Sequence, residues 1–435
     1  MFRGNLLGGL VFTFFKSNKL VEIVDSCMGS SKSTNILKWM DDNPNQRYLY
    51  ISPLLSEVET DGRVHKALNN IELCVPSNEE STKSEDILKL LKDGQSIACT
   101  HALYSSLTDQ HLDEIQRQGY VVLLDEELDV IGGFDEYSSD DVNWLLSKGD
   151  IEISDSDGMV SWIGEREKIT KNHRYYEFMK RCDSRSLYST KRSATMMVTQ
   201  LPIKLFECAK RVVILTYLFD GNVLDCFLRL KGFEIKKFTE IETDFVDKKL
   251  FKELLTVVPP SEKLLKYKLT STWWAEANGD SIKDVKNYVE TNARKFGAKG
   301  DDVLWTAPKS RVVYDGKQKK LLLKPRGYLV DSSGVSCYLP ANTRATNLFA
   351  HKNVLFHLYN RHPLVCVKAY LNDYGVNLDH NVFAVSELLQ WSWRGCIREK
   401  IPMTLCIGSD RMYWLFMNWL NDYPLQPKRI KGCEY

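Results

Sequence analysis

Residues 20–40 read LVEIVDSCMGSSKSTNILKWM, and the reading of the whole chain turns on this stretch. Leu20 to Val24 is a short apolar run rich in β-branched residues, which predicts a strand. Asp25 to Ser31 is a loop of small and polar residues. Lys32, Ser33 and Thr34 follow, and Ile36, Leu37 and Met40 fall on one face of a helix. Strand, small-residue loop, Lys-Ser and helix are the parts of a phosphate-binding loop. Backbone N–H groups at a helix start converge on one point, and the helix dipole favours negative charge there. On this reading Gly29, Ser30, Ser31, Lys32, Ser33 and Thr34 hold phosphates. Lys32 brings a full positive charge and the Ser33 hydroxyl faces a magnesium ion. Serine stands at 26 and 31, where the pattern has glycine, and Gly29 is the loop's one glycine. The bland alternative is an ordinary strand-to-helix turn.

The chain has 435 residues, too many for one ordinary core, which predicts two domains. Lys+Arg is 58 and Asp+Glu is 57, so any basic groove must be local. The 11 cysteines are scattered without a C-x-x-C pair. That argues against a disulfide framework or a zinc site and fits a reducing cytosol. No apolar run approaches the roughly 20 residues of a membrane span. Leu6 to Phe15 is apolar but lacks a small-residue cleavage site before Lys16, and reads as an additional strand or a packing arm.

A second motif strengthens the first. Tyr120 to Glu127 reads YVVLLDEE, a strand buried on both faces that ends in two carboxylates. At the C-terminal end of a parallel strand, such a pair sits beside a phosphate loop. Asp125 then holds the metal and Glu126 orients or deprotonates the attacking water; the alternative is an acidic loop after a core strand. Further strands are expected at 47–52, 96–99, 211–216 (RVVILT) and 233–238, with helices from Ser84, Thr108 and Leu224. Residues 57–79 give no clear signal. Residues 135–200 read as an elaboration with a hairpin about Asp157-Gly158. Ser193-Ala194-Thr195 matches a coupling motif superficially, but no buried strand is expected before it.

The second half alternates again. Residues 238–268 lack periodicity and are expected to carry the crossing between domains. Strands are expected at 303–306, 335–339, 353–358 and 403–407, with helices from Ser281, after Asn347, after Pro363, at 382–397 and at 411–420. A basic hairpin at 312–323 is by default a solvated face, and otherwise a phosphate-backbone contact. In QWSWRGCIR, Arg394 and Arg398 lie four apart and are expected on one helix face. Paired guanidiniums suit a triphosphate. The alternative is an exposed face paired with Glu387 or Glu399.

Taken in order, these pieces resemble superfamily 2 helicases, in particular the DEAD-like helicase or ATPase proteins of bacteriophages. SCMGSSKS resembles their nucleotide loop and LLDEE their magnesium motif. ISP at 51–53, CTHAL at 99–103, ILTY at 214–217, NTRATN at 342–347 and SELLQWSWRGCIR at 386–398 stand where their other motifs occur. Glu127 and Leu128 depart from the usual ends of the acidic motif. Trp393 replaces a usual glycine, and Arg398 lies one position late. The resemblance implies two tandem RecA-like domains, each a mainly parallel sheet flanked by helices, at residues 1–235 and 236–435. It implies ATP and Mg2+ in the cleft, with Glu126, Arg394 and Arg398 catalytic. It also implies single- or double-stranded nucleic acid, DNA favoured, touching Pro53, Thr100, His101, Thr346 and Asn347. Replication or recombination proteins are implied partners, no membrane is implied, and the setting is the cytoplasm of a phage host. A nucleic-acid clamp that has lost ATPase activity is the alternative.

Overall fold

The computed structural model describes residues 19–79, 81–244, 248–312, 322–343 and 346–434. The expected arm at Leu6–Phe15, most of the basic hairpin, and Arg344-Ala345 lie outside the described residues. The opening strand is Leu20–Asp25 (β1), followed by Tyr48–Ser52 (β2), Ile97–Thr100 (β3) and Val121–Asp125 (β4). Next come Ile131–Phe134 (β5), Ile151–Ile153 (β6), Val160–Trp162 (β7), Leu187–Thr190 (β8) and Ser193–Gln200 (β9). Arg211–Thr216 (β10) and Glu234–Lys237 (β11) complete the first half.

Six of these strands form one parallel sheet in the order β11-β1-β10-β4-β2-β3. All five residues of β4 are buried, because helices cover both faces. Alternate residues divide between two cores. Val122 and Leu124 join one cluster, and Val121 and Leu123 join the other. The edge strand β11 reads EIKK and is mostly exposed, a charged edge that resists pairing with another chain.

The second half carries its own parallel sheet: Leu255–Val258 (β12), Val303–Thr306 (β13), Val354–His357 (β14) and Met403–Ile407 (β15), ordered β12-β15-β14-β13. Leu304, Leu355 and Leu405 face one core, while Val303, Trp305, Phe356 and Cys406 face the other. The architecture is therefore the two tandem parallel α/β layers expected from the sequence. The elaboration is a three-stranded antiparallel sheet, β5-β9-β8, plus the β6-β7 hairpin.

The cores do not follow a simple cut between 235 and 236. The helix Val365–Asp373 lies in the second half but packs on β5, β8 and β9. Its Val367, Tyr370 and Leu371 join the first-half core. The Tyr370 hydroxyl donates to the Asp157 carbonyl at 2.9 Å, and Asp373 accepts from the Lys191 amide at 2.8 Å.

Several local expectations need correction. Residues 335–339 make isolated bridges rather than a strand, and turns follow Asn347 where a helix was expected. Residues 238–268 hold β12 and two short helices, Lys248–Leu254 and Glu262–Leu265. The helix Lys83–Lys92 is capped by Thr82 rather than Ser84, through a capping box with Glu85. The helix Gly279–Lys295 is capped by Asn278 rather than Ser281. A largely buried strand, β8, does precede Ser193-Ala194-Thr195, but these residues open β9 in the antiparallel elaboration, outside the large sheet. No helix among the described residues is long and apolar enough to cross a membrane.

Candidate active site

In the large sheet, β1 and β2 are consecutive in sequence yet separated by β10 and β4. The chain leaves β1 in one direction and returns on the far side, which opens a crevice at the strands' C-terminal ends. The register aligns Asp25 with Thr216 and Leu215 with Asp125. The loop after β1, the acidic motif and the end of β10 therefore meet at one edge.

The helix Lys32–Asp41 (α1) starts at Ser31, whose side chain does not cap it. Ser31 takes the left-handed conformation, φ 59° and ψ 18°, where glycine is usual and where a side chain is strained. Its hydroxyl bonds to Asp244 instead. The segment after β11 thus lies across the loop. The Asp244 amide donates to the Ser30 carbonyl at 3.0 Å, Ser26 and Thr243 hydroxyls meet at 2.8 Å, and Asn35 donates to the Glu242 carbonyl at 2.7 Å.

Lys32 Nζ is turned onto the carbonyls of Ser26 and Cys27, the latter at 3.0 Å. Burial lowers its pKa, against the pull of Cys27, Asp125, Asp25 and Glu126. Ser30 Oγ is buried with no hydrogen-bond partner among the described residues. A desolvated ammonium, an unmatched hydroxyl and uncapped helix amides together fit a phosphate group. Ser33 Oγ donates to Asp125 Oδ1 at 2.8 Å, so a hydroxyl and a carboxylate, both hard oxygen donors, lie side by side. That pair fits a magnesium ion.

Asp125 is held on its other oxygen by the Tyr50 hydroxyl at 2.7 Å and Arg63 Nη2 at 3.3 Å. Glu126 has φ 70°, an uncommon conformation for a residue with a side chain, and it lies at the cleft. Glu127 accepts from Asn222 at 2.5 Å and from the Thr216 hydroxyl, which joins the acidic motif to the end of β10.

The second half reaches the same place. Arg394 is 8% exposed, and its Nη2 lies 3.7 Å from Glu126 Oε1. The expected helix through Arg394 and Arg398 ends early, at Ser392. Gly395 explains the break. A Cβ there would meet Met403 Sδ at 2.9 Å and Leu355 methyl carbons at 3.0 Å, so the backbone presses onto the sheet. Arg398 lies on a separate 3-10 turn, Cys396–Glu399, and the one-face expectation is corrected. It donates to Asn347 Oδ1 at 2.5 Å and lies 3.7 Å from Glu399; Glu387 pairs with Arg361 instead.

A cavity of about 430 Å³ is lined by Gly29 to Thr34, Pro53, Arg63, Asp125 to Glu127, Asn347, Gln390, Trp393, Arg394 and Arg398. That size suits a small ligand. Next to it the halves pack together: Trp419 Nε1 donates to the Tyr217 hydroxyl at 2.8 Å, and Cys27 and Met28 pack on the core that holds Trp393.

The expected strand-contact residues divide. Pro53 and Asn347 line the cavity itself. Thr100 caps the helix His101–Ser105, and the His101 ring bonds the Asp125 carbonyl at 2.9 Å. Thr346 Oγ1 accepts from the Leu348 amide at 3.3 Å. Sequence reasoning missed Tyr50, Glu57, Arg63 and Asp244. The first is hidden in a core strand, and the next two lie in the stretch without periodicity.

Comparison with known proteins adds the following. Residues 250–420 match the family described as the YonV C-terminal Rossmann-like domain. The chain is 28% identical over 428 residues to the SPbeta prophage-derived uncharacterized protein YonV of Bacillus subtilis strain 168, covering 92% of this chain and 99% of that protein. Two solved structures titled XPD_APO and XPD_Helicase align at a TM-score of 0.48 and 11% identity, over 93% of this chain and 96% and 95% of theirs.

Proposed function

We propose that the chain is a nucleic-acid-dependent ATPase, acting as a helicase or translocase in phage DNA replication or recombination. One observation carries this reading: Lys32 and Ser33 from the first half and Arg394 from the second line one cavity with Asp125 and Glu126. Lys32 and the loop amides would bind the phosphates of ATP. Ser33 and Asp125 would hold Mg2+, which supplies charge neutralisation on the phosphate oxygens when bound. Glu126 would take a proton from the attacking water, and general-base help is worth roughly 10²–10⁴ in rate. Arg394 would meet charge developing on the transferred phosphoryl group. Arg398, tied to Asn347 at the rim, fits a supporting role.

Strand contacts are proposed at Thr100, His101, Thr346 and Asn347, with Pro53 at the cleft edge. His101 touches the Asp125 carbonyl, so a strand bound there would act on the acidic motif directly. A strand spanning both halves favours the shut cleft, and hydrolysis then depends on it. The prophage relative supports the phage setting. The test is ATP turnover with and without single-stranded DNA and RNA. Stimulation of tenfold or more by a strand is expected; equal turnover in both cases overturns the reading. The strain at Ser31 and the inward turn of Lys32 favour one second reading, a strand-binding clamp without turnover. Retained strand binding with no hydrolysis in either condition selects it.

A further inference from the structure

The cavity holds a cation that no motif accounts for. Arg63 opens a four-residue helix, Arg63–Lys66, directly after Gly62. Its Nη2 lies 3.3 Å from Asp125 Oδ2 and 3.1 Å from Glu57 Oε2, and its side chain is 41% exposed toward the cavity. The position is built rather than incidental. A Cβ at Gly62 would lie 2.4 Å from the Glu57 carbonyl oxygen, so only glycine lets the two turns touch. Val64, next in sequence, is fully buried and anchors the helix. Glu57 is itself fixed by the Ser52 hydroxyl at 3.0 Å.

The consequence is electrostatic. Asp125 is the carboxylate that pairs with Ser33 across the proposed metal position, and Arg63 already neutralises it. A divalent ion beside Asp125 would face a fixed positive charge, and like charges in a partly desolvated cleft repel. Arg63 has a long side chain, a second carboxylate at Glu57 and an open cavity ahead of it. We infer that Arg63 is a positioning residue that holds Asp125 before Mg2+ binds, yields it to Mg2+, and then binds phosphate oxygens from the first-half side. A guanidinium suits that second task because its N–H groups match phosphate in planar pairs. The inference rests on the nucleotide reading above and deepens it.

The test measures binding, not turnover. A fluorescent ATP analogue is titrated into the wild-type protein, R63A and R63K, first with EDTA and then across a MgCl2 series. For R63A, affinity at saturating MgCl2 should fall at least tenfold, and the MgCl2 concentration at half-effect should fall at least threefold. R63K keeps the charge without the planar fork and should lie between, which guards against a folding defect in R63A. Wild-type values for both quantities in both variants overturn the role of Arg63 and leave the nucleotide site standing. A wild-type protein that binds the analogue under no condition overturns the nucleotide reading, and this inference with it.

Discussion

Ser31→Gly separates the strain in the phosphate loop from its chemistry. Ser31 sits at φ 59°, and the left-handed region costs a residue with a side chain about 1–2 kcal/mol. Glycine removes that strain but gives the unfolded chain more freedom, worth about 0.5–1 kcal/mol. The hydroxyl bond to Asp244 is exposed and contributes about 1 kcal/mol at most. These terms nearly cancel, so stability should move by less than about 1 kcal/mol. Nucleotide binding should not cancel in the same way. Ser31 anchors the Asp244 carboxylate over a loop proposed to bind phosphate, and the two carry the same sign. At about 6 Å and an effective dielectric of about 40–80, each phosphate charge feels about 0.7–1.4 kcal/mol of repulsion. Releasing the carboxylate should tighten nucleotide binding by roughly 3- to 10-fold. Asp244→Asn removes the charge but keeps an acceptor for the hydroxyl, and should give a gain of similar size. Equilibrium titration with a fluorescent nucleotide reads the affinity, and denaturant unfolding reads the stability. Unchanged or weaker binding in both variants would refute the reasoning.

Glu126→Gln should keep nucleotide affinity within about threefold while slowing hydrolysis by roughly 10²–10⁴, because it removes a proton acceptor and little binding; paired binding and turnover measurements check this. Burial holds Lys32 below its usual 10.5, and a triphosphate bound at the proposed site would restore its charge. Nucleotide affinity should therefore fall as pH rises through that lowered value toward 10.5, while the free protein gains stability over the same window; pH-dependent titrations read the first and unfolding curves the second. His357 is fully buried, with no hydrogen-bond partner for either ring nitrogen among the described residues, and burial, reinforced by Arg361, lowers its pKa from 6.5 to about 3. The unfolded chain takes up that proton below 6.5 and the folded protein does not, so stability drains as pH falls from 6.5 toward 3, by about 2–3 kcal/mol at pH 4.5. His357→Leu should flatten this acid dependence in denaturant unfolding measured at pH 7 and pH 4.5.

The parallel sheets were legible because their strands are buried on both faces. VVLLD and RVVILT read as continuous apolar runs, and few other structures produce that pattern. The strand, turn and helix of residues 20–41 were legible despite Ser31, since the structure puts serine into the very conformation that glycine usually supplies. The arginine helix misled because periodicity carries no information about Gly395, whose effect depends on Leu355 and Met403 across the sheet. Residues 335–339 are apolar enough for a strand but find single-bridge partners. The helix Val365–Asp373 shows the same limit at larger scale: its apolar face was visible, while its packing on the elaboration of the first half was not. Arg63 and Glu57 escaped notice because their helices are four residues each, too short to show a period.

The central claim is that one triphosphate is gripped from both halves, with separate tasks on each side. Comparing Lys32→Ala and Arg394→Ala by nucleotide titration and by strand-stimulated turnover tests it most directly. Lys32→Ala should weaken nucleotide binding by about 30-fold or more. Arg394→Ala should bind within about fivefold of wild type yet lose roughly 10³ in stimulated turnover. Full hydrolysis by Arg394→Ala, with strand stimulation intact, would contradict the claim.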